Sequence, residues 1–179
     1  MSIGKIVSGG QTGADRAALD AAMKAKFQIG GWVPAGRSAE DGVISLRYPN
    51  LIETPSSDVA ERTRKNVLDS DATLIVSHGP IAGGTKLTMN YANEIGRPLK
   101  LVDLGQTSEG IAVEDIRSWL ETSGISTLNV AGPRASEDPG IYDAVFQLIT
   151  RLLTVHERLA APEDSRRPPL RPSQPADGF

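Results

Sequence analysis

The sequence predicts an open, doubly wound parallel α/β sheet of about five strands, flanked by helices. Three observations predict it. Strand-like and helix-like patterns alternate along the chain. Two of the strand-like runs, residues 3–8 and 72–77, are apolar on both faces, as strands at the centre of a parallel sheet are. Each of those runs ends in a glycine-rich turn, Ser8-Gly9-Gly10-Gln11-Thr12-Gly13 and His78-Gly79-Pro80-Ile81-Ala82-Gly83-Gly84-Thr85, that opens at once into a helical pattern.

In chain order, residues 3–8 form the first strand. The helix after it carries Ala14, Ala17, Ala18, Ala21, Ala22 and Ala25 along one face, small enough to lie close against a sheet. Lys24 and Lys26 fall in its last turns, opposite the negative end of the helix dipole. Residues 29–33 read as a weak strand ended by Pro34. From 35 to 54 there is no period, and a loop this long in a small domain is usually functional or mobile. Residues 55–58 supply a cap for a helix carrying Val59, Ala60, Thr63, Val67 and Leu68, which ends at 69–71. The strand at 72–77 and the second glycine turn lead to a helix over 87–95, stopped by Gly96-Arg97-Pro98. A strand at 99–104, an amphipathic helix at 113–122 and a strand at 126–130 follow. After a third polar turn at 131–137, the last helix runs from about 139 to 158 with Ile141, Val145, Leu148 and Leu152 on one stripe. One ligand-binding domain is expected over 1–159, then a disordered tail over 160–179 that holds five of the twelve prolines.

Composition narrows the function classes. A net charge of −3 with 23% charged residues gives no sign of a nucleic-acid or membrane-binding surface. Cysteine is absent, which removes disulfide frameworks, thiolate catalysis and cysteine-held zinc. No apolar run approaches the roughly 18 residues of a membrane span, and no signal-peptide pattern precedes the first strand. A soluble cytoplasmic protein is expected.

The two glycine turns carry the functional expectation. A strand, a tight turn and a helix start in succession aim unpaired N–H groups and the positive end of a dipole at one point, which suits a phosphate. Neither turn is a Gly-x-Gly-x-x-Gly or P-loop fingerprint. In doubly wound sheets ligands bind beyond the carboxyl ends of the strands at the point where strand order reverses. If the strands at 3–8 and 72–77 are neighbours, their turns face each other there, and Gly10 and Gly84 approach one anion.

Several separate motifs in order resemble the molybdenum carrier proteins: Ser8-Gly9-Gly10-Gln11-Thr12-Gly13-Ala14-Asp15, Pro34-x-Gly36-Arg37-x-x-Glu40-Asp41-Gly42, Arg62-Thr63-x-x-Asn66-Val67, Gly83-Gly84-Thr85 and Thr88. That group is similar to the circularly permuted YpsA-like branch of the SLOG superfamily, itself related to the lysine-decarboxylase-like "lonely guy" proteins. The resemblance covers roughly residues 3–155. It implies a Rossmann-like fold, homo-oligomers, and binding of the molybdenum cofactor as cargo, or of a nucleotide, at the glycine turns. It also implies partners among molybdenum enzymes or cofactor-assembly proteins. The phosphoribohydrolase relatives carry Pro-Gly-Gly-x-Gly-Thr-x-x-Glu with an essential Glu. This chain has Ala82-Gly83-Gly84-Thr85-Lys86-Leu87-Thr88, so Thr88 stands in the place of the Glu. A carrier is expected rather than a hydrolase, with no catalytic residue assigned. A nucleotide-processing enzyme and a nucleotide sensor are the alternatives.

The candidate ligand-binding residues are Gly9, Gly10, Gln11, Thr12, Gly13, Arg37, Arg62, Gly83, Gly84 and Thr85. Thr12 and Thr85 suit hydrogen bonds to phosphate or, equally, helix N-caps. Arg37 and Arg62 suit bidentate closure on an anion, against surface ion pairing. Secondary candidates are Asp15, Glu40, Asp41, Asn66, His78 and Thr88. Asp15 reads better as a first-turn structural carboxylate, and Glu40 and Asp41 as either a ligand contact or solvated charges. These three carboxylates are the base candidates under the enzyme alternative. His78 has no neighbours at metal-ligand spacing, and His156 lies far along the last helix, so no protein metal site is expected. Ser8 and Ser77 lack a base and orienter for nucleophilic work.

Overall fold

The computed structural model describes residues 3–160, with the backbone alone for 155–160. Its elements are β1 (Lys5–Val7), α1 (Ala14–Lys24), β2 (Gln28–Val33), β3 (Ser38–Ala39), β4 (Gly42–Val43), β5 (Leu51–Glu53), α2 (Val59–Leu68), β6 (Ala72–Ser77), α3 (Gly83–Ile95), β7 (Leu99–Asp103), α4 (Glu109–Ser123), β8 (Thr127–Ala131) and α5 (Ile141–Ala160). Apart from Ala160, which ends α5, the expected Pro-rich tail lies outside the described residues. No helix among them is long and apolar enough to cross a membrane.

Six strands form one sheet in the order β5-β2-β1-β8-β6-β7, and every pairing in it is parallel. The fold is thus the Rossmann-like α/β class read from the sequence, with six strands in the sheet rather than five. The added strand is β5, three residues at the edge beside β2, with Leu51 buried and Ile52 and Glu53 exposed. Three residues are too few to show a period. The two-residue strands β3 and β4 pair antiparallel inside the long 35–54 segment.

One expectation about the sheet is corrected. The strands at 3–8 and 72–77 are not neighbours, because β8 lies between them. Leu128 pairs with Ile6 on one side and Ala72 on the other, and Asn129 with Val7 and Thr73. Register in a parallel sheet is set by contacts far apart in sequence, so apolar runs mark central strands without giving their order.

Helices pack on both faces. α1 lies against α5, which also meets α4, while α2 pairs with α3. The alanines of α1 from Ala14 to Ala22 are fully buried, as are Ile141, Val145, Leu148, Ile149 and Leu153 of α5. Asp58 caps α2 by accepting the Ala60 N–H at 2.9 Å. Gly96 ends α3 and Gly124 ends α4 in left-handed conformations, φ 73° and 62°. α3 begins at Gly83 and α4 at Glu109, each a turn earlier than their apolar periods show, because both first turns are polar or glycine-rich.

The chain crosses itself tightly just beyond β8. A Cβ on Gly132 would stand 2.3 Å from the Val76 carbonyl oxygen and 2.7 Å from the Ala14 Cβ. A side chain there must push β6 from α1. Gly132→Ala is therefore expected to lower stability by about 1–3 kcal/mol, the usual range for overpacking. Urea denaturation with an unchanged slope and a lower midpoint checks it.

Candidate functional site

The loops after β1, β6 and β8 meet at the carboxyl edge of the sheet and enclose a cleft of about 480 Å³ measured out to its mouth. The β1 turn contributes Gly9 and Gln11, α1 contributes Asp15, and α2 contributes Arg62, Thr63 and Asn66. Gly84, Thr85 and Thr88 come from the start of α3. β8 and its loop supply Asn129, Ala131, Gly132, Arg134 and Glu137. The two glycine turns do reach one cleft, with the β8 loop between them.

Their helix starts differ. At α3 the N–H groups of Gly83, Gly84 and Thr85 donate to no acceptor among the described residues. No side chain caps this helix either. Thr85 is only 4% exposed, and its hydroxyl also has no partner among the described residues. Unpaired donors at a helix N-terminus favour an anion. The start of α1 is largely occupied by protein instead. The Ala14 N–H donates to the Pro133 carbonyl at 3.1 Å, and the Thr12 N–H to Gln11 Oε1 at 2.9 Å.

Arg62 and Asp15 lie over the bare backbone of Gly9. Arg62 Nη1 is 3.2 Å from Asp15 Oδ2, and a Cβ on Gly9 would overlap that nitrogen at 1.5 Å. The pair is buried rather than on the surface, with side chains 13% and 8% exposed. Burial pushes the Asp15 carboxyl above its ordinary value, although the Arg62 charge and the Gln11 N–H act the other way. Arg62 Nε is sealed from solvent with no hydrogen-bond partner among the described residues.

The charged members of the long loop lock it down. Glu40 accepts from the Thr12 hydroxyl, from the Ser136 N–H at 3.1 Å and from the Ser136 hydroxyl at 2.5 Å. Thr12 in turn accepts the Ala135 N–H at 3.1 Å, so it bridges three loops rather than capping α1. Asp41 forms a two-bond ion pair with Arg16. Gln11 Oε1 also takes the Glu40 N–H at 3.0 Å. Hydrogen bonds from Ser136 and Thr12 hold Glu40 below the ordinary carboxylate range, and Arg16 does the same for Asp41. Carboxylates so stabilised in the charged form are weak bases.

Arg37 is placed away from the cleft. It is buried, with φ 53°, and donates to the carbonyls of Ile44 at 2.9 Å, Ser45 at 3.1 Å and Leu51 at 3.3 Å. Its donors fold the loop instead of facing an anion. Gly10 does not line the cleft either: with φ 70°, its Cβ position lies 3.2 Å from Ile44 Cδ1. Gly13, φ 74°, admits the β8 loop, since a Cβ there would stand 2.5 Å from the Pro133 oxygen. Gly83 sits beside Glu137, whose Oε1 is 3.4 Å from its Cβ position.

The remaining candidates are held by the backbone or by each other. Asn66 accepts the Trp32 N–H at 2.7 Å and donates to the Trp32 carbonyl at 2.9 Å. β1 ends opposite Gly30, so the Asn66 amide takes the place of a strand residue beyond it. The Thr88 hydroxyl donates to the Gly84 carbonyl at 3.0 Å. His78 Nδ1 lies 2.8 Å from Asp138, outside the cleft lining. Ser8 and Ser77 donate to the carbonyls of Val130 and Gly79. Sequence reasoning missed Thr63, Asn129, Gly132, Arg134 and Glu137. The polar turn at 131–137 was the available signal, since Gly132-Pro133-Arg134 directly follows a buried strand.

The model of the circularly permutated YpsA SLOG family matches residues 6–153. A crystal structure from Syntrophus aciditrophicus SB, described as a "Putative molybdenum carrier protein", is 51% identical and superposes with a TM-score of 0.83. The match covers 85% of this chain and 96% of that one. None of the curated proteins compared matches the chain.

The depressed carboxyls make the loop acid-sensitive. A group with a lowered pKa in the folded state contributes stability above its unfolded pKa and loses it as pH falls through the folded one. For Glu40 that window lies below its ordinary 4.5, and for Asp41 below 3.8. The melting temperature is expected to fall from about pH 4.5 downward, and Glu40→Gln to flatten part of that slope while lowering stability at neutral pH. Thermal melts between about pH 3 and 7 check both.

Proposed function

The chain belongs to the circularly permutated YpsA SLOG family, and from that premise we propose that it is a non-catalytic carrier. Its cargo is the molybdenum cofactor or a similar phosphate-bearing pterin or nucleotide, gripped by the phosphate. The observation that carries this reading is the open start of α3: three N–H groups and the Thr85 hydroxyl that have no partner among the described residues, at a cleft that Arg62 also lines. These are the donors a phosphate needs, in a partly enclosed cleft. Arg62 and Arg134 line the cleft together with the carboxylates they pair with, Asp15 and Glu137, and the described residues of the pocket include no nucleophile set up by a base. The solved relative's description as a molybdenum carrier supports the cargo. The molybdenum itself would be held by the cofactor, since no group of three His, Asp or Glu side chains suited to a metal exists among the described residues. A homo-oligomer that hands its cargo to molybdenum enzymes or cofactor-assembly proteins completes the proposal.

Carrier function rests on binding without turnover. Where a hydrolase would hold Glu, Thr88 donates its only proton to its own helix. Asp15 is paired to Arg62, and Glu40 and Asp41 are tied into the loop. Incubation with nucleoside monophosphates is therefore expected to release no free base at a rate near 1 s⁻¹, the low end of ordinary enzymes. Liquid chromatography of the mixture checks it. Release that disappears in Asp15→Asn would establish the enzyme instead.

Thr85→Val gives a clean test of the grip. The hydroxyl has no partner among the described residues, so its loss is expected to leave the melting temperature unchanged or raised. GMP shares the 2-amino-4-oxo pyrimidine edge of a pterin and serves as the probe. Its affinity is expected to fall about fivefold, the value of one hydrogen bond near 1 kcal/mol. Arg62→Ala removes a charged donor and is expected to weaken GMP about tenfold to a hundredfold. Arg117→Ala, whose ion pairs among the described residues are with Glu114 and Glu121 on α4, is the control. Calorimetric titration reads all three, and GMP binding indifferent to Thr85→Val and Arg62→Ala would overturn the phosphate assignment.

A further inference from the structure

A carboxylate of the protein stands close to the donors of α3. Glu137 lines the same cleft as Gly84 and Thr85, and its Oε1 lies 3.4 Å from the Cβ position of Gly83, the first residue of that helix. Neither of its oxygens takes an N–H of α3 among the described residues. Both face Arg134 instead: Oε2 accepts the Arg134 N–H at 3.2 Å, and Oε1 pairs with the Arg134 Nε at 3.5 Å. Backbone closes the turn between them, since the Glu137 and Asp138 N–H groups both donate to the Arg134 carbonyl at 3.0 Å.

The two arginines of the lining are thus matched by two carboxylates, but the two pairs differ in freedom. Arg62 and Asp15 are buried over Gly9, with side chains 13% and 8% exposed. Arg134 and Glu137 are open to water, 39% and 43% exposed. An ion pair that open contributes little to stability, so it parts at small cost. Beyond the pair, Arg134 Nε has the Glu40 carboxylate at 4.0 Å, and its Nη1 and Nη2 groups bond nothing among the described residues.

We infer that Glu137 competes with the ligand's phosphate for the start of α3. The positive end of one helix favours one anion, and two held there repel each other. As a phosphate reaches the open N–H groups, Glu137 turns outward into water and Arg134 passes from the carboxylate to the phosphate. As the cargo leaves, the carboxylate returns. A carrier has to release what it binds, and an internal anion loosens a phosphate grip enough to permit transfer. This inference rests on the phosphate assignment of the cleft and adds how that grip is loosened.

Calorimetric titration of the full chain with GMP, paired with thermal melts, tests it. Glu137→Gln keeps the shape of the side chain and removes its charge. It is expected to bind GMP about fivefold to tenfold more tightly, the effect of one charge at a helix start, and to melt slightly lower in the absence of GMP. A merely structural role for Glu137 would lower both. Arg134→Ala is expected to weaken GMP about fivefold or more, through loss of a charged donor. Glu114→Gln removes the same charge from the exposed face of α4 and is expected to leave GMP affinity unchanged. GMP binding in Glu137→Gln that equals or falls below wild type overturns the inference. An equal gain in Glu114→Gln also overturns it, because net charge alone then accounts for the effect. Indifference to Arg134→Ala does the same, because no arginine then passes to the phosphate. If GMP binds none of these proteins, the phosphate assignment fails and the competition goes with it.

Discussion

Most of this structure follows from how closely the backbone beyond β8 passes between the end of β6 and the start of α1. Gly132 has no room for even a methyl group against the Val76 carbonyl and Ala14, and Gly13 has none against Pro133. Those contacts bring the loops after β1, β8 and β6 to a single edge. They also explain why the start of α1 is closed: its first N–H is bonded to the strand loop that lies on it. The first turn of α3 has the Glu137 side chain beside Gly83, but its first N–H groups bond no acceptor among the described residues. One close crossing thus decides which of two similar glycine turns presents free donors.

The buried Arg62–Asp15 pair is the other costly feature. Withdrawing two charges from water is repaid only when their geometry is good and their remaining polar atoms are bonded. Here the Arg62 Nε is left without a partner, and burial raises the Asp15 carboxyl despite the nearby guanidinium. A site with that arrangement is not optimised for stability. It holds a guanidinium in the cleft that the open helix start also lines, and Gly9 makes the placement possible by leaving bare peptide beneath it.

Much of the fold was legible because helices and buried strands leave local patterns. The double-sided apolar runs marked β1 and β6, the alanine face marked α1, and the stripe on α5 showed its buried side. Strand order was not legible, since nothing in residues 126–130 says that they insert between two strands from the first half of the chain. The site was read in part. Gly9, Gln11, Arg62, Gly84 and Thr85 do line one cleft, and Asp15, Asn66 and Thr88 join them. Arg37 and Gly10 could not be told from ligand contacts by residue type: a guanidinium binds carbonyls as readily as phosphate, and a glycine's direction depends on its dihedral angles. Arg134 and Glu137 were hidden because their turn looked like an ordinary connection.

The Asn66 clamp has a spectroscopic consequence. Asn66 lines the cleft with one edge of its surface and holds both polar groups of the Trp32 backbone with its amide. The Trp32 indole is itself fixed, its Nε1 donating to Asp69 at 2.7 Å and the Lys65 ammonium standing 4.3 Å from its ring centroid. A fluorophore between a carboxylate and an ammonium changes emission when either shifts. Both partners ride on or next to α2, the helix that carries Arg62. Any movement of α2 that shifts Asp69 or Lys65 is therefore written into the colour of Trp32.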